Sequence, residues 1–196
     1  MRRLETRLEG PVMIEPVIHG DHRGFFQETY RRNALAELGV HDEFVQDNHS
    51  RSRRDVLRGM HFQPGMAKLV RCVRGSILDV LVDIRRGSPA FGGWEGYELT
   101  DENGHQVYAP DGFAHGFVVL SEVADVAYKC STYYDPAGEA GFRFDDPEVG
   151  IEWPDLELET SERDRSAPLL SDWPTTCPSA GTADRDRPSA HRGPAS

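Results

Sequence analysis

Hydrophobic and polar residues alternate along most of this chain, which is the pattern of half-buried β-strands. The clearest case is SILDVLVDI, residues 76–84. With a period of two, one side of this strand carries Leu78, Val80, Val82 and Ile84, and the other carries Ile77, Asp79, Leu81 and Asp83. One side would therefore pack on a core, while the other could line a cavity tipped with polar groups.

Similar short runs recur between clusters of Gly, Pro, Asn and Asp. They predict further strands at residues 12–18, 25–30, 68–73, 94–99, 106–110, 116–120 and 125–134. Residues 33–39 are the clearest helix, and Gly39 is a suitable residue to end it. Many short strands and few helices predict an all-β fold, an antiparallel sandwich or jelly roll with a few short helices.

The composition changes near the C-terminus. Residues 171–196 are rich in Pro, Ser, Gly and charge and poor in aliphatic side chains. Such a segment cannot bury enough apolar surface to offset the entropy lost on ordering. We therefore expect one domain over residues 1–170, followed by a disordered tail over residues 171–196 without a catalytic role.

Charge and cysteine content narrow the function. A net charge of −11 disfavours nucleic-acid binding, so an anionic ligand would need a local basic pocket. The three cysteines have no CxxC spacing, which argues against a disulfide framework or a thiolate zinc site. The N-terminus lacks the apolar run of a signal peptide, and no other run approaches membrane-spanning length. We expect a cytoplasmic protein with reduced thiols and no membrane partner.

The stretch RGMHFQPGMAKLV, residues 58–70, places a histidine and a lysine on either side of a Pro-Gly turn. In a strand, His61 faces away from Met60 and Phe62, so it is either a satisfied structural residue or a group facing a cavity. Lys68 begins an apolar strand and needs water, a partner or a ligand. Arg58 lies three residues before His61, so a regular strand would put them on opposite faces. A shared site requires a bulge or kink near Gly59.

A second histidine, His115, lies between small residues in PDGFAHGFVVL. Together with His61 it could bind a metal inside a β-sandwich. The usual metal-binding cupin pattern, His-x-His with a nearby Glu, is absent because Phe62 and Gln63 follow His61. The metal signal is therefore weak.

Two further groups have both structural and chemical interpretations. Tyr128, Tyr133 and Tyr134 lie in a predicted strand, where tyrosines usually pack, although one phenol facing a cavity could act as a general acid. By period-two counting, Tyr128 and Tyr134 share a face. Ser161 and Asp164 resemble a helix N-terminal capping box, but a buried aspartate can also hold a histidine ring and raise its basicity. Sequence alone does not join Asp164 to His61.

Arginines, amides and carboxylates cluster in DHRGFFQETY and VQDNHSRS. Collectively they suit a surface that binds phosphate and sugar hydroxyls. The residues concerned, with the later Arg58, are Arg23, Glu28, Gln46 and Asn48.

The ordered set DHRGFFQE, VQDNHSRS, VLRGMHFQ, AKLVRCVRGSILDVLVDIRRGSPAFG, PDGFAHGF and SERD resembles the dTDP-4-dehydrorhamnose 3,5-epimerase family, over roughly residues 10–168. The resemblance implies a cupin-type jelly roll without cofactor or metal, and a homodimer whose N-terminal strands cross to the partner. It implies a dTDP-4-dehydro-6-deoxyglucose substrate, inverted at C3 and C5 beside the C4 ketone. It also leaves open a relative that epimerises only one carbon, or a sugar-binding cupin that is non-catalytic or metal-dependent.

The resemblance also assigns roles by position. His61 with Asp164 would be the base, Tyr128 the acid and Lys68 the group that stabilises the enolate oxygen. Phe26 and Tyr134 would flank the nucleotide base. The other implied substrate contacts are Arg23, Glu28, Gln46, Asp47, Asn48, Arg58, His115, Glu139 and Arg163, the last where the family commonly has lysine. The turn PGMA before Lys68 is shorter than in many members.

Overall fold

The structure is a computed structural model that describes residues 1–172. In chain order its strands are β1 (Arg2–Leu4), β2 (Val12–Glu15), β3 (Ile18–Asp21), β4 (Gly24–Gln27), β5 (Gln46–Arg53), β6 (Leu57–Phe62), β7 (Lys68–Arg74), β8 (Ser76–Asp83), β9 (Trp94–Thr100), β10 (Gln106–Ala109), β11 (Phe113–Val119), β12 (Val123–Cys130) and β13 (Ala140–Gly141). Helix α1 spans Arg32–Glu37, helix α2 spans Glu162–Arg165, and a 3-10 turn spans Leu170–Asp172. All but the first two residues of the predicted tail lie outside the described residues.

Two antiparallel sheets and one hairpin make up the strands. The first sheet has the order β1-β2-β10-β7-β12-β5, the second β13-β6-β11-β8-β9, and β3 pairs only with β4. Every pairing between these strands is antiparallel. The predicted antiparallel all-β fold is therefore confirmed.

The main hydrophobic core lies between the two sheets. Val70 and Val126 come from the first sheet, and Ile77, Leu81 and Phe117 come from the second. The inward side of each strand alternates with an outward side, as the period of two requires. The sheets therefore pack face to face and close around a shared interior.

The outer side of the second sheet is buried as well. Val80 and Val82 of β8 pack there against Phe142, Val149 and Leu170 from the C-terminal part of the domain. Helix α2 lies within this covering segment, between Val149 and Leu170. The C-terminal segment is thus fixed to the sheet by hydrophobic contacts, which matters for the position of Asp164.

The predicted and the observed strands differ in three places. The run at 12–18 is two strands, because Pro16 supplies no ladder N–H and interrupts pairing between β2 and β3. The run at 125–134 ends at Cys130, so the expectation that Tyr128 and Tyr134 share a strand face is wrong. Strand β5 was not predicted as a strand, because its inward residues are polar and give no hydrophobic alternation.

Helix α1 begins one residue before the predicted range of 33–39 and ends before Gly39, whose positive φ of 94° suits a C-terminal stop. Within residues 1–172, no helix combines the length and hydrophobicity needed to cross a membrane.

Candidate active site

A cavity of about 520 Å³ opens between the two sheets. Its walls come from β5, β7 and β12 of the first sheet, from β6 and β11 of the second, and from the segment that leads into α2. The lining residues are Ser50, Val56, Leu57, Arg58, His61, Lys68, His115, Phe117, Tyr128, Glu139, Glu159, Thr160, Ser161, Arg163 and Asp164.

An irregularity in β6 brings Arg58 and His61 to this one cavity. His61 pairs with His115 of β11, but Arg58 pairs with Phe117, and the register shifts between these pairs. Gly59 lies at the shift with a φ of +148°, and the Gly59–Met60 peptide bond is cis. The predicted bulge or kink near Gly59 is confirmed, and both side chains line the cavity.

The imidazole of His61 is bonded to the carboxylate of Asp164. The distance from Nε2 of His61 to Oδ1 of Asp164 is 2.6 Å. Burial alone would raise the pKa of Asp164, but the hydrogen bond and charge of His61 hold that pKa below its usual value. Asp164 is therefore ionised at neutral pH and can only accept, so Nε2 carries the proton and Nδ1 keeps its lone pair.

The capping interpretation of the SERD motif is also correct. Ser161 is the N-cap of α2, and its hydroxyl accepts a hydrogen bond from the backbone N–H of Asp164 at 3.1 Å. The preceding segment is fixed to β6 by the bond from the backbone N of Leu57 to the carbonyl of Glu159, 2.8 Å long. The cap and this backbone hydrogen bond together position the Asp164 side chain next to His61.

The ammonium group of Lys68 enters the cavity without a partner. It forms no hydrogen bond or ion pair with any residue between 1 and 172. Burial lowers the pKa of Lys68, although the nearby Cys130, Glu139 and Asp79 oppose that change. A desolvated cation without a counter-charge in contact is suited to stabilise an anionic oxygen.

Tyr128 of β12 faces the same cavity from the first sheet. Burial raises the pKa of its phenol, while a hydrogen bond from Asn48 on the neighbouring strand opposes that rise. The phenol is therefore protonated at neutral pH and available as an acid. Asn48 is itself held by the side-chain amide of Gln46, whose Nε2 donates to Oδ1 of Asn48 at 3.0 Å.

A second histidine–aspartate pair lies beside the first. The distance from Nε2 of His115 to Oδ2 of Asp79 is 2.8 Å, and both side chains are buried. Asp79 was not among the predicted site residues. The available signal was its position between Ile77 and Leu81 on the inward side of β8.

A small ionic cluster closes the rim of the cavity near α2. The guanidinium of Arg163 is 2.6 Å from Oε2 of Glu139, and the hydroxyl of Tyr134 donates to the same oxygen at 3.1 Å. The hydrogen bond with Glu139 raises the pKa of Arg163, which keeps its positive charge. The structure thus brings three of the predicted binding residues together.

Other predicted residues lie away from the cavity lining. Asp47 points to the outer side of β5 and pairs with Lys129 at 2.8 Å, opposite in direction to its neighbours Gln46 and Asn48. Strand alternation accounts for this difference.

The N-terminal hairpin also lies outside the lining. Arg23 pairs with Asp21 on the hairpin itself, and Glu28 pairs with Arg31 at 3.1 Å. The ring of Phe26 is 70% exposed, and the adjacent Phe25 is 66% exposed. These side chains are outside the cavity of their own chain.

Among the described residues, no group of three or more His, Cys, Asp or Glu side chains is arranged to hold a metal ion. His61 and His115 each face a single carboxylate instead.

Comparisons of the sequence and of the structure with known proteins both indicate one enzyme family. The model of the dTDP-4-dehydrorhamnose 3,5-epimerase family matches residues 5–172. A dTDP-4-dehydrorhamnose 3,5-epimerase from Salmonella typhimurium is 49% identical, covering 85% of this chain and 94% of that protein. A dTDP-4-dehydrorhamnose 3-epimerase from Streptomyces niveus is 43% identical, covering 88% and 85%.

A solved structure extends the likeness to the whole fold. The dTDP-6-deoxy-D-glucose-3,5-epimerase of Legionella pneumophila, in complex with dTDP-4-keto-L-rhamnose, superposes with a TM-score of 0.86 at 46% identity. The match covers 88% of this chain and 94% of that one. The chain therefore belongs to the dTDP-4-dehydrorhamnose 3,5-epimerase family and has its cupin-type jelly roll.

Proposed function

We propose that this protein epimerises dTDP-4-dehydro-6-deoxy-D-glucose at C3 and C5, giving dTDP-4-dehydro-L-rhamnose. The observation that carries the proposal is the single cavity that holds the His61–Asp164 pair, the unpaired ammonium of Lys68 and the phenol of Tyr128. These are the base, the cation and the acid that proton exchange beside a ketone requires.

His61 takes the proton from the carbon next to the C4 ketone. Its Nε2–H is donated to the ionised Asp164, so the lone pair on Nδ1 is the basic site. The C–H electron pair then forms the enolate double bond, and the imidazolium produced is stabilised by the Asp164 carboxylate. The aspartate orients the ring and stays ionised throughout.

Lys68 stabilises the charge that this step creates. Removal of the proton places negative charge on the C4 oxygen, and the ammonium of Lys68, which forms no ion pair within residues 1–172, can stabilise that charge. Because the ammonium is desolvated, its attraction for the developing oxyanion is stronger than in water. The interaction is stronger in the transition state than with the neutral ketone, as catalysis requires.

Tyr128 returns a proton from the opposite face of the sugar ring, and this inverts the carbon. Its O–H bond breaks as the new C–H bond forms and the enolate collapses to the ketone. The phenolate then regains a proton from solvent, and the imidazolium of His61 releases one. Burial, which raises the pKa of Tyr128, keeps the acid loaded before the step.

The rim provides the charges that suit the dTDP group. Arg58 and Arg163 are cations on the cavity lining and can hold the diphosphate. Tyr134 is half exposed beside Arg163 and can stack on the nucleotide base, with His115 and Glu139 among the remaining contacts.

The protein acts as a cytoplasmic homodimer in this proposal. The exposed Phe26, with Arg23 and Glu28, is not part of the cavity lining of its own chain and would complete the cavity of a partner. The two described cysteines, Cys72 and Cys130, are free and buried, which suits a reducing compartment.

A second candidate is a mono-epimerase that inverts only one carbon. It is supported by the Streptomyces niveus relative, whose name specifies a 3-epimerase at 43% identity. Both activities use the same base, cation and acid, so these residues do not distinguish them. A sugar-binding cupin without catalysis is less well supported, because it gives no role to the aligned base and acid.

Solvent exchange tests these alternatives directly. The substrate is incubated with the protein in D₂O, and deuterium at C3 and C5 is followed by NMR. We expect label and inversion at both carbons; label at one carbon would identify a mono-epimerase. Absence of label at either carbon would contradict the epimerase function.

A further inference from the structure

Asp79 is a buried carboxylate bonded to His115 of the cavity lining, and no part of the mechanism above uses it. It lies on the inward side of β8, with no exposed surface. Its Oδ2 is bonded to Nε2 of His115 at 2.8 Å, and His115 lies directly across from His61 in the strand pairing. Asp79 therefore contacts the ring that forms the wall next to the base.

The other oxygen of Asp79 lacks a partner. Oδ1 is buried and accepts no hydrogen bond from the described chain. A buried carboxylate with an unsatisfied oxygen destabilises the fold, and such a group usually persists where function requires its charge. By contrast, Asp83 on the same side of the same strand is also fully buried, but Arg85 and Ser88 satisfy it.

We propose that Asp79 is a positioning residue of the epimerase site, which fixes the ring of His115 beside the base His61. The proposal rests on the proposed function, because it assigns Asp79 to the same reaction. Acceptance of the Nε2–H by the carboxylate leaves Nδ1 of His115 as the ring atom that can accept a hydrogen bond from the sugar.

The charges around Lys68 give this role a second consequence that can be measured. The charged or titratable groups that oppose the loss of its proton are Cys130 on β12, Glu139 before β13 and Asp79 on β8. The cavity also holds Arg58, His61, His115 and Tyr128. Glu139 is already paired with Arg163, and Cys130 is a thiol whose pKa is raised by burial. Asp79 is thus one of three groups that oppose deprotonation of Lys68, and its Oδ1 accepts no hydrogen bond from the described residues.

The test compares Asp79→Asn with Asp83→Asn in the full-length protein. We expect Asp79→Asn to lower kcat/KM about 10- to 100-fold, by analogy with the loss of a carboxylate that orients a metal-binding histidine. We also expect it to move the high-pH loss of activity to lower pH, with a melting temperature equal to or above that of the wild type. Asp83→Asn should lower the melting temperature and leave the pH profile unchanged.

A double variant examines whether Asp79 acts through His115. If it does, Asp79→Asn adds little to the loss in kcat/KM already caused by His115→Gln at neutral pH. The shift of the high-pH limb should persist in the double variant, because Lys68 is still present.

Three results would overturn the proposal. The first is an unchanged kcat/KM and pH profile in Asp79→Asn. The second is a melting temperature of Asp79→Asn that falls as it does in Asp83→Asn, with a loss of activity in proportion to that fall. The third is an Asp79→Asn variant that fails to fold. Wild-type protein without turnover would contradict the proposed function itself, and the role of Asp79 with it. Wild-type turnover with an unaffected Asp79→Asn would contradict the role of Asp79 alone.

Discussion

The cavity displaces the pKa values of three of its side chains. The pKa of Asp164 is lowered despite its burial, the pKa of the Tyr128 phenol is raised, and the pKa of Lys68 is lowered by desolvation. The ionised aspartate accepts the Nε2–H of His61 and orients the ring, and the protonated phenol is ready to donate.

The first residue-scale prediction concerns activity at high pH. The ammonium of Lys68 is lost as the pH rises through its folded-state pKa, which lies below 10.5. As the pH is raised, kcat/KM should therefore begin to fall before pH 10.5 is reached. Lys68→Arg keeps its charge over the whole accessible range and should move this limb upward, even if its activity is lower. A profile of kcat/KM against pH checks this, and identical limbs in the two proteins would contradict the assignment to Lys68.

The same burial predicts an effect on stability. The folded-state pKa of Lys68 is lower than its unfolded value, so between the two values the unfolded chain binds more protons and stability increases with pH. At neutral pH the buried charge is therefore destabilising. Lys68→Met should abolish exchange and raise the melting temperature, by about 2–4 °C for each kcal/mol gained. Lys129→Met, which removes a lysine paired with Asp47 on the outer face, should do neither.

A third prediction separates the acid from the base. Tyr128→Phe should still allow His61 to remove a proton, so deuterium enters the substrate, but inversion should fall by about 10²–10⁴-fold. His61→Asn should lose exchange and inversion together. Deuterium content and product configuration are read from the same NMR sample, and equal loss of both in Tyr128→Phe would argue against the acid role.

Residue patterns alone left the role of His61 undecided. It faces away from Met60 and Phe62 as strand alternation requires, yet its partner is 103 positions away in the chain. Ser161 and Asp164 gave a correct local prediction, the helix cap, which carries no information about a distant imidazole. The resemblance to a family was needed to pair the two residues.

At the scale of elements, the irregular strand β6 determines which side chains meet. A regular strand would turn Arg58 and His61 to opposite sides, and the register shift at Gly59 turns both to the cavity. The sequence predicts this irregularity only if both residues serve one site. Strand β5 could not be predicted from hydrophobic alternation, because its inward residues Gln46, Asn48 and Ser50 are polar.

Gly59→Ala tests this element. A Cβ at Gly59 would lie 2.6 Å from Cα of Gly116, at a φ of +148°. The contact is with backbone and cannot be relieved by a side-chain rotation, so we expect a loss of about 2–4 kcal/mol and a large loss of activity. Gly87 has a φ of +87° with open space around it, so Gly87→Ala should cost only about 1 kcal/mol and preserve activity. Urea unfolding measures both, and equal losses would contradict the close approach in β6.

At the scale of the whole molecule, the jelly roll brings together residues that are far apart in sequence. The cavity takes side chains from both sheets and from the segment before and within α2. Strand alternation and turn residues predict the fold class and most strands. They do not predict which strands become neighbours, such as β7 between β10 and β12, because that depends on packing between distant segments. The role of the exposed N-terminal hairpin likewise depends on how two copies of the chain assemble, which strand patterns do not predict.

A mixture of two inactive variants tests whether that hairpin completes the site of a partner. Arg23→Ala/Phe26→Ala damages the hairpin, and His61→Asn damages the cavity. If the hairpin acts on the partner, a co-expressed heterodimer contains one intact site, and random pairing leaves about a quarter of all sites active. If it acts on its own chain, every heterodimer has two damaged sites and activity is not restored. Co-expressed His61→Asn and Lys68→Met provide the control, because both changes fall in cavities and no pairing yields an intact site. Recovery in the first mixture alone therefore requires a hairpin exchanged between subunits, whereas no recovery, or a monomer in sedimentation, would contradict the dimer.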